Sequence, residues 1–167
     1  FLKVLANKEK IHIIGAGSNS LITDEVYDGV IIKLGKNFNR LSILKSNIII
    51  SGTAVLDKKL AEYAAANSLS GFEFLACIPG TIGGGLKMNA GCFGKEIKDI
   101  LISIQAIDKN GNVSTIPVKK INFEYRKNDL SDDLIFLSAS FKGEKQDTQR
   151  IFETMLKLKT KKFLTRS

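Results

Sequence analysis

The sequence predicts an α+β domain, rich in short strands, that is not a doubly wound α/β sheet. Three observations lead there. Short apolar runs of strand type outnumber helical patterns, of which two stand out in 167 residues. Asn110-Gly111 sits between two alternating apolar runs, the strongest short-range hairpin signal. A glycine-rich turn, Gly15-Ala16-Gly17, ends the first apolar run, yet the next run begins at about Val30, too soon for a crossover helix.

In chain order, Ile11 to Ile14 reads as a buried strand, and residues 29–34 (GVIIKL) as a second. Residues 48–51 (IIIS) form a third, closed by Gly52. Leu56, Leu60 and Ala64 then recur at helical spacing in LDKKLAEYAAAN, whose alanines favour a helix. Residues 70–94 carry seven glycines in 25 positions, too many for a helix and too patterned for a linker. Leu101 to Ile107 and Val113 to Val118 make the Asn-Gly hairpin, and residues 134–141 (LIFLSASF) the last strand. The chain closes on a helical pattern with Ile151, Met155 and Leu158 on one face.

The first glycine stretch, HIIGAGSNS, invites comparison with the Gly-x-Gly-x-x-Gly fingerprint of dinucleotide-binding βαβ units. It fails: position 20 is serine, and LITDEVYDG leaves no room for the helix on which such a site depends. What survives is either a tight turn or a backbone nest, in which Gly15, Ala16 and Gly17 admit an anion and Ser18, Asn19 and Ser20 add donors. From this stretch by itself the two readings are equal. A second loop, Ile78-Pro79-Gly80-Thr81-Ile82-Gly83-Gly84-Gly85, followed by Asn89-Ala90-Gly91, moves the balance toward binding. Two glycine loops in one small domain suit an extended ligand with more than one phosphate and a flat ring system.

The composition is ordinary for a globular chain, with 44% hydrophobic and 25% charged residues. The longest apolar runs are too short to span a bilayer, and no basic-then-apolar leader precedes the first strand, so a cytoplasmic protein without membrane contact is expected. Cys77, Cys92 and the single His12 cannot make an ordinary four-ligand zinc site; free thiols are expected. The net charge is +8, of which residues 142–167 contribute +5. Such a tail can bind nucleic acid, but it lacks interleaved aromatics and any nucleic-acid motif, so a solvated helix face is the preferred reading. The chain opens at Phe1 and stops just after a helical pattern, which reads as the middle of a longer protein.

IIGAGSNSLITDEVYDGVIIKL resembles the Gly-x-Gly-Ser-Asn stretch of the MurB family, the UDP-N-acetylenolpyruvoylglucosamine reductases. GFEFLACIPGTIGGGLKMNAGCFGKEIKD resembles that family's Ile-Pro-Gly-x-x-Gly-Gly and Asn-Ala-Gly signature, and FEYRKNDL its Tyr-Arg motif. All three lie in the family's order between residues 11 and 130. The resemblance implies a two-subdomain, non-Rossmann FAD-binding fold of the PCMH or vanillyl-alcohol-oxidase kind. Residues 1–36 would complete the first FAD-binding subdomain, 37–143 form the second, and 144–167 lead as a helix to a substrate domain. FAD would lie with its pyrophosphate against Gly15, Ala16, Gly17, Ser18, Asn19 and Ser20, and against Ile78, Pro79, Gly80, Thr81, Gly83 and Gly84. Asn89 and Gly91 would lie toward the flavin ring.

The implied reaction is reduction of UDP-N-acetylglucosamine enolpyruvate by NADPH to UDP-N-acetylmuramate, in peptidoglycan synthesis, by a monomer that binds no nucleic acid. Arg126 matches the family's catalytic arginine, stabilising charge on the substrate carboxylate. Tyr125 either touches substrate or is a half-buried strand tyrosine. Asn128 and Cys92 depart from the family's usual serine and alanine. Glu73 and Glu96 read as structural, and His12 as a strand packing residue. The family's proton-donating serine, in Gly-Ser-x-Phe-Lys-Asn-Pro, and its acidic partner lie outside these residues, as does the start of the first flavin subdomain. Another flavoprotein of the same fold is the nearest alternative, and a basic nucleic-acid-binding module the alternative of a different class.

Overall fold

The computed structural model describes Leu2 and residues 10–45 and 47–164. Its centre is a five-stranded antiparallel sheet in the order β3 (Leu41–Leu44), β4 (Ile48–Gly52), β12 (Ile135–Lys142), β8 (Leu101–Ile107) and β9 (Val113–Pro117). The central strand buries Ile135, Phe136, Ala139 and Phe141. Two register shifts against β8 break its alternation, and they twist it as bulges do.

Three helices are described: α1 (Asp57–Ala66), α2 (Ile82–Lys87) and α3 (Thr148–Leu164). The alanine face of α1 packs without exposed surface through Leu60, Ala64 and Ala65, and α3 docks through Ile151 and Met155. A 3-10 turn at Glu73–Cys77 lies between them and buries Phe74 and Leu75. Arg150, Lys157 and Lys161 of α3 are exposed, as expected of a solvated helix face anchored on one apolar stripe.

A second, smaller sheet stands apart. β1 (Ile11–Ile14) and β2 (Val30–Lys33) pair in parallel, with Ile11 opposite Val30 and Ile14 opposite Lys33. The connection through residues 15–29 contains no helix, which bears out the rejection of a βαβ unit. Short ribbons complete the molecule: β5 (Leu69–Ser70) with β13 (Glu144–Lys145), β6 (Gly91–Cys92) with β7 (Lys95–Glu96), and β10 (Phe123–Glu124) with β11 (Lys127–Asn128). No described helix is long and apolar enough to cross a membrane.

The glycine-rich stretch corrects the expectation that glycines exclude a helix. Residues 82–87, IGGGLK, are helical. A Cβ at Gly83 would lie 3.2 Å from both Cβ and the carbonyl oxygen of Thr53, and one at Gly85 would lie 3.2 Å from Asp57 and Ile97. The helix forms because its backbone packs where side chains would not fit, so tertiary contact overrides low propensity. A second correction is β3, which the sequence reading omitted. It turns into β4 through Lys45 in the left-handed region (φ 61°), a conformation that a lysine does not announce in the sequence.

Candidate functional site

A cleft of about 1450 Å³ opens between the β1–β2 pair and the sheet with its helices. Both glycine loops line it. The first leaves β1 at Ile14 and turns at Gly17, whose φ of 74° is favoured only for glycine, with the Ser20 N–H donating to the Gly17 carbonyl at 3.3 Å. The second is pinned from behind by the segment that follows β4. The N–H groups of Ile82 and Gly83 donate to the carbonyls of Val55 (2.8 Å) and Thr53 (2.9 Å), and the Asp57 N–H to that of Gly80 (3.1 Å). Thr53 is itself fixed, its hydroxyl donating to the Phe136 carbonyl at 2.6 Å.

The two loops meet. The Ser18 hydroxyl donates to the Pro79 carbonyl, and the Asn19 amide donates to the Met88 sulfur at 3.3 Å. A Cβ on Gly15 would lie only 2.5 Å from the Thr81 hydroxyl. The six residues from Gly15 to Ser20 and the predicted Ile78, Pro79, Gly80, Thr81, Gly83 and Gly84 therefore share one wall. Stretches 60 residues apart in sequence converge on one ligand-sized space. Gly83→Val is expected to lower unfolding stability by about 1–3 kcal/mol, because the fixed Thr53 backbone cannot yield. Thermal unfolding measures this, and flavin affinity in the folded fraction shows whether the second loop also binds.

Asn89 and Gly91 line the cleft, and both are also held in place by neighbouring groups. Asn89, 3% exposed, donates to the Glu124 carbonyl (3.3 Å), accepts from the Lys98 N–H (3.4 Å), and hydrogen-bonds the Glu96 carboxylate. A Cβ on Gly91 would lie 2.6 Å from the Lys95 carbonyl oxygen. Asn128 acquires a reason: its buried amide donates to the carbonyls of Leu86 and Lys87, both at 3.0 Å, closing the C-terminal end of α2, and its oxygen accepts from Leu130. Asn128→Ala would leave these groups unpaired, at an expected cost of about 1–3 kcal/mol by denaturant unfolding.

Tyr125 and Arg126 form the tip of the β10–β11 hairpin on the cleft rim. The alternative of a half-buried strand tyrosine is corrected: Tyr125 is 84% exposed, since a two-residue turn points its side chains away from the strands. Arg126 holds φ 57°, and its guanidinium lies 5.7 Å from the Tyr125 ring centre. A non-glycine residue in the left-handed region is strained, a condition that collects at functional sites. His12 also needs correction. It lies exposed along the cleft, edge-on to Tyr27, rather than packed in a core, because β1 belongs to a two-stranded sheet. Glu73 and Glu96 are structural as expected: Glu73 accepts from the Gly71 N–H, and Glu96 pairs with Lys98 at 2.6 Å.

Basic side chains outnumber acidic ones around the opening. Lys98 holds the Glu96 carboxyl below its usual range, and Lys87 does the same for Asp132 across 2.7 Å. Lys162 of α3 donates to the Cys77 carbonyl and lines the same cleft. Cys77 and Cys92 are free thiols in hydrogen-bond contact, and burial pushes the Cys77 thiol up. The sequence reading missed Lys87, Lys98, Lys162 and Asp57 as cleft residues. No local signal marks them, since each sits in a pattern ordinary for a helix or turn.

Comparison with known proteins agrees with this geometry. Residues 2–116 match the family of FAD binding domains. The chain is 67% identical over 162 residues to a UDP-N-acetylenolpyruvoylglucosamine reductase of Pelagibacter ubique, covering 97% of this chain and 54% of that protein. The crystal structure of the corresponding reductase (MurB) from Thermus caldophilus superposes with a TM-score of 0.80 at 30% identity, covering 94% of this chain and 57% of the other. Quinoline 2-oxidoreductase from Pseudomonas putida shares the fold, with a TM-score of 0.61 at 18% identity over 84% and 54% of the two chains. The chain spans about half the length of the curated relatives it matches.

Proposed function

We propose, from the premise that this chain belongs to the FAD binding domain family, that it is the flavin-holding portion of a UDP-N-acetylenolpyruvoylglucosamine reductase. The reading rests above all on one observation: two glycine loops are tied together across a single cleft, with the Tyr125–Arg126 tip on its rim. The cleft suits FAD. It is large enough for a dinucleotide, its walls are backbone where a pyrophosphate needs close approach, and its basic surround favours anions.

When bound, FAD supplies a two-electron relay from NADPH to the enolpyruvyl double bond of UDP-N-acetylglucosamine enolpyruvate. This chain's residues then bind and orient. The Gly15 to Ser20 turn and, in the Ile78 to Gly84 loop, the N–H groups of Gly80, Thr81 and Gly84 offer donors to the pyrophosphate, with Thr81 set against Gly15 where the two loops meet. Arg126 holds the substrate carboxylate by its two-pronged guanidinium, where negative charge grows as the double bond is reduced. Tyr125, stacked beside it, extends the substrate surface. Lys87, Lys98 and Lys162 draw the anionic partners in.

In this reading residues 1–36 belong to the first FAD-binding subdomain, 37–143 to the second, and 144–167 lead toward a substrate domain. The enzyme acts as a cytoplasmic monomer in peptidoglycan synthesis. The experiment is direct: the whole protein that carries this chain purifies yellow, with an oxidised flavin spectrum, and consumes NADPH only when the enolpyruvyl nucleotide sugar is supplied. A colourless protein, or NADPH consumption that ignores the sugar, would end the proposal.

A further inference from the structure

One group at the base of the cleft has no part in the scheme so far. Asp57 opens α1, is 0% exposed, and neither of its carboxyl oxygens has a protein hydrogen-bond partner. It belongs to the cleft lining. Its place is close behind the second glycine loop: a Cβ on Gly80 would lie 2.9 Å from Oδ2, and one on Gly85 3.2 Å from Oδ1. The same Gly80 position is 3.6 Å from the Ser18 hydroxyl, so the carboxyl and both loops converge there. Buried polar groups without partners are costly and rare, which makes this one informative.

Burial alone pushes the Asp57 carboxyl up to about 7. The elements packed around it carry Lys58, Lys59, Glu73, Lys87, Glu96, Lys98 and Asp99, and none of these contributes to that shift. The group therefore answers to its solvation, and to any charge brought into the cleft.

We infer, on the reading that this cleft takes the pyrophosphate of FAD, that Asp57 couples cofactor binding to proton uptake, the dinucleotide being held only while the carboxyl is neutral. An ionised carboxylate beneath two phosphates in a poorly solvated floor repels them; a protonated one does not. The sign follows. Free protein carries the proton below about pH 7 and releases it above. Bound phosphates raise the carboxyl further, so the complex keeps the proton where the free protein has lost it. Affinity is then level below about pH 7 and falls by up to about tenfold per pH unit above it, and FAD and the proton each strengthen the binding of the other.

The test is the dissociation constant of FAD from the whole protein, read by flavin fluorescence from about pH 5.5 to about pH 8.5, a range that brackets the transition. Wild type should lose about tenfold or more in affinity over the alkaline part of that range. Calorimetry near pH 8, in two buffers of different ionisation enthalpy, should show close to one proton taken up per FAD. Asp57→Asn, neutral and of the same shape, should bind at every pH with the affinity of the wild-type acidic limb. A level wild-type curve without proton uptake overturns the inference, as does a slope that persists in D57N. The calorimetric count needs no variant, so it decides the matter even if D57N does not fold. Binding without a pH slope rejects the inference alone, whereas no FAD binding at any pH rejects the flavin reading with it.

Discussion

Arg126→Ala in the whole enzyme is expected to leave flavin reduction by NADPH near its normal rate and to slow the second half-reaction by about two to three orders of magnitude. The first step develops no charge on the substrate carboxylate; the second does. The guanidinium stands on the cleft rim at the tip of a tight hairpin, beside an exposed tyrosine ring. That placement suits a group that meets substrate, since nothing in the core needs it. Arg126→Lys should recover little, because a point ammonium cannot reproduce the two-pronged contact. Arg126→Gly separates structure from chemistry. At φ 57° glycine relieves the backbone, so this variant should be at least as stable as wild type while showing the same kinetic defect. Stopped-flow absorbance follows both steps through flavin colour, which bleaches and then returns. A variant that bleaches slowly and recovers normally would assign Arg126 to the nicotinamide step instead.

Gly17→Val should abolish retention of FAD through purification. Nothing lies within 4 Å of a Cβ built on Gly17, so the protein itself raises no clash. The penalty has two other sources. A β-branched residue strongly disfavours φ 74°, and a side chain directed into the open cleft occupies the space that lets a pyrophosphate approach the backbone. Gly17→Ala is the instructive partner: it keeps most of the space and carries only part of the backbone strain, so it should bind FAD with intermediate affinity. Flavin absorbance per protein after gel filtration measures both. A fully yellow Gly17→Val protein would show that the first loop holds no phosphate, and would leave the Ser18–Pro79 and Asn19–Met88 contacts as loop-to-loop clamps.

Much of the architecture is legible locally. Apolar runs of four to eight residues mark β1, β2, β4, β8 and β12, since a strand needs only its own pattern to declare itself. Asn110-Gly111 announces the β8–β9 hairpin, and the alanines of α1 and the Ile151–Met155 stripe of α3 announce their helices. Pattern fails where neighbours decide. IGGGLK becomes helical because Thr53, Asp57 and Ile97 leave room only for backbone, and β3 exists because β4 supplies its hydrogen bonds. The fates of Tyr125 and His12 were equally out of reach. Whether a polar aromatic side chain is packed or bare depends on what the rest of the chain places over it.

The site divides along the same line. The sequence by itself determined that two glycine-rich loops exist, that the first does not open a βαβ unit, and that Arg126 follows a tyrosine, because glycine content, spacing and residue type are properties of a linear string. Only the tertiary structure decided that the loops touch through Ser18 and Asn19, that Asn128 closes α2, and that Lys87, Lys98 and Lys162 ring the same opening. Above all, it decided the state of Asp57. In the chain, an aspartate at the first position of a helix is an ordinary partner for the helix dipole. In the fold, Gly80 and Gly85 close over it and remove the water that would keep it ionised at low pH. Solvation belongs to the assembled neighbourhood and not to the residue, and no reading of the string could have supplied it.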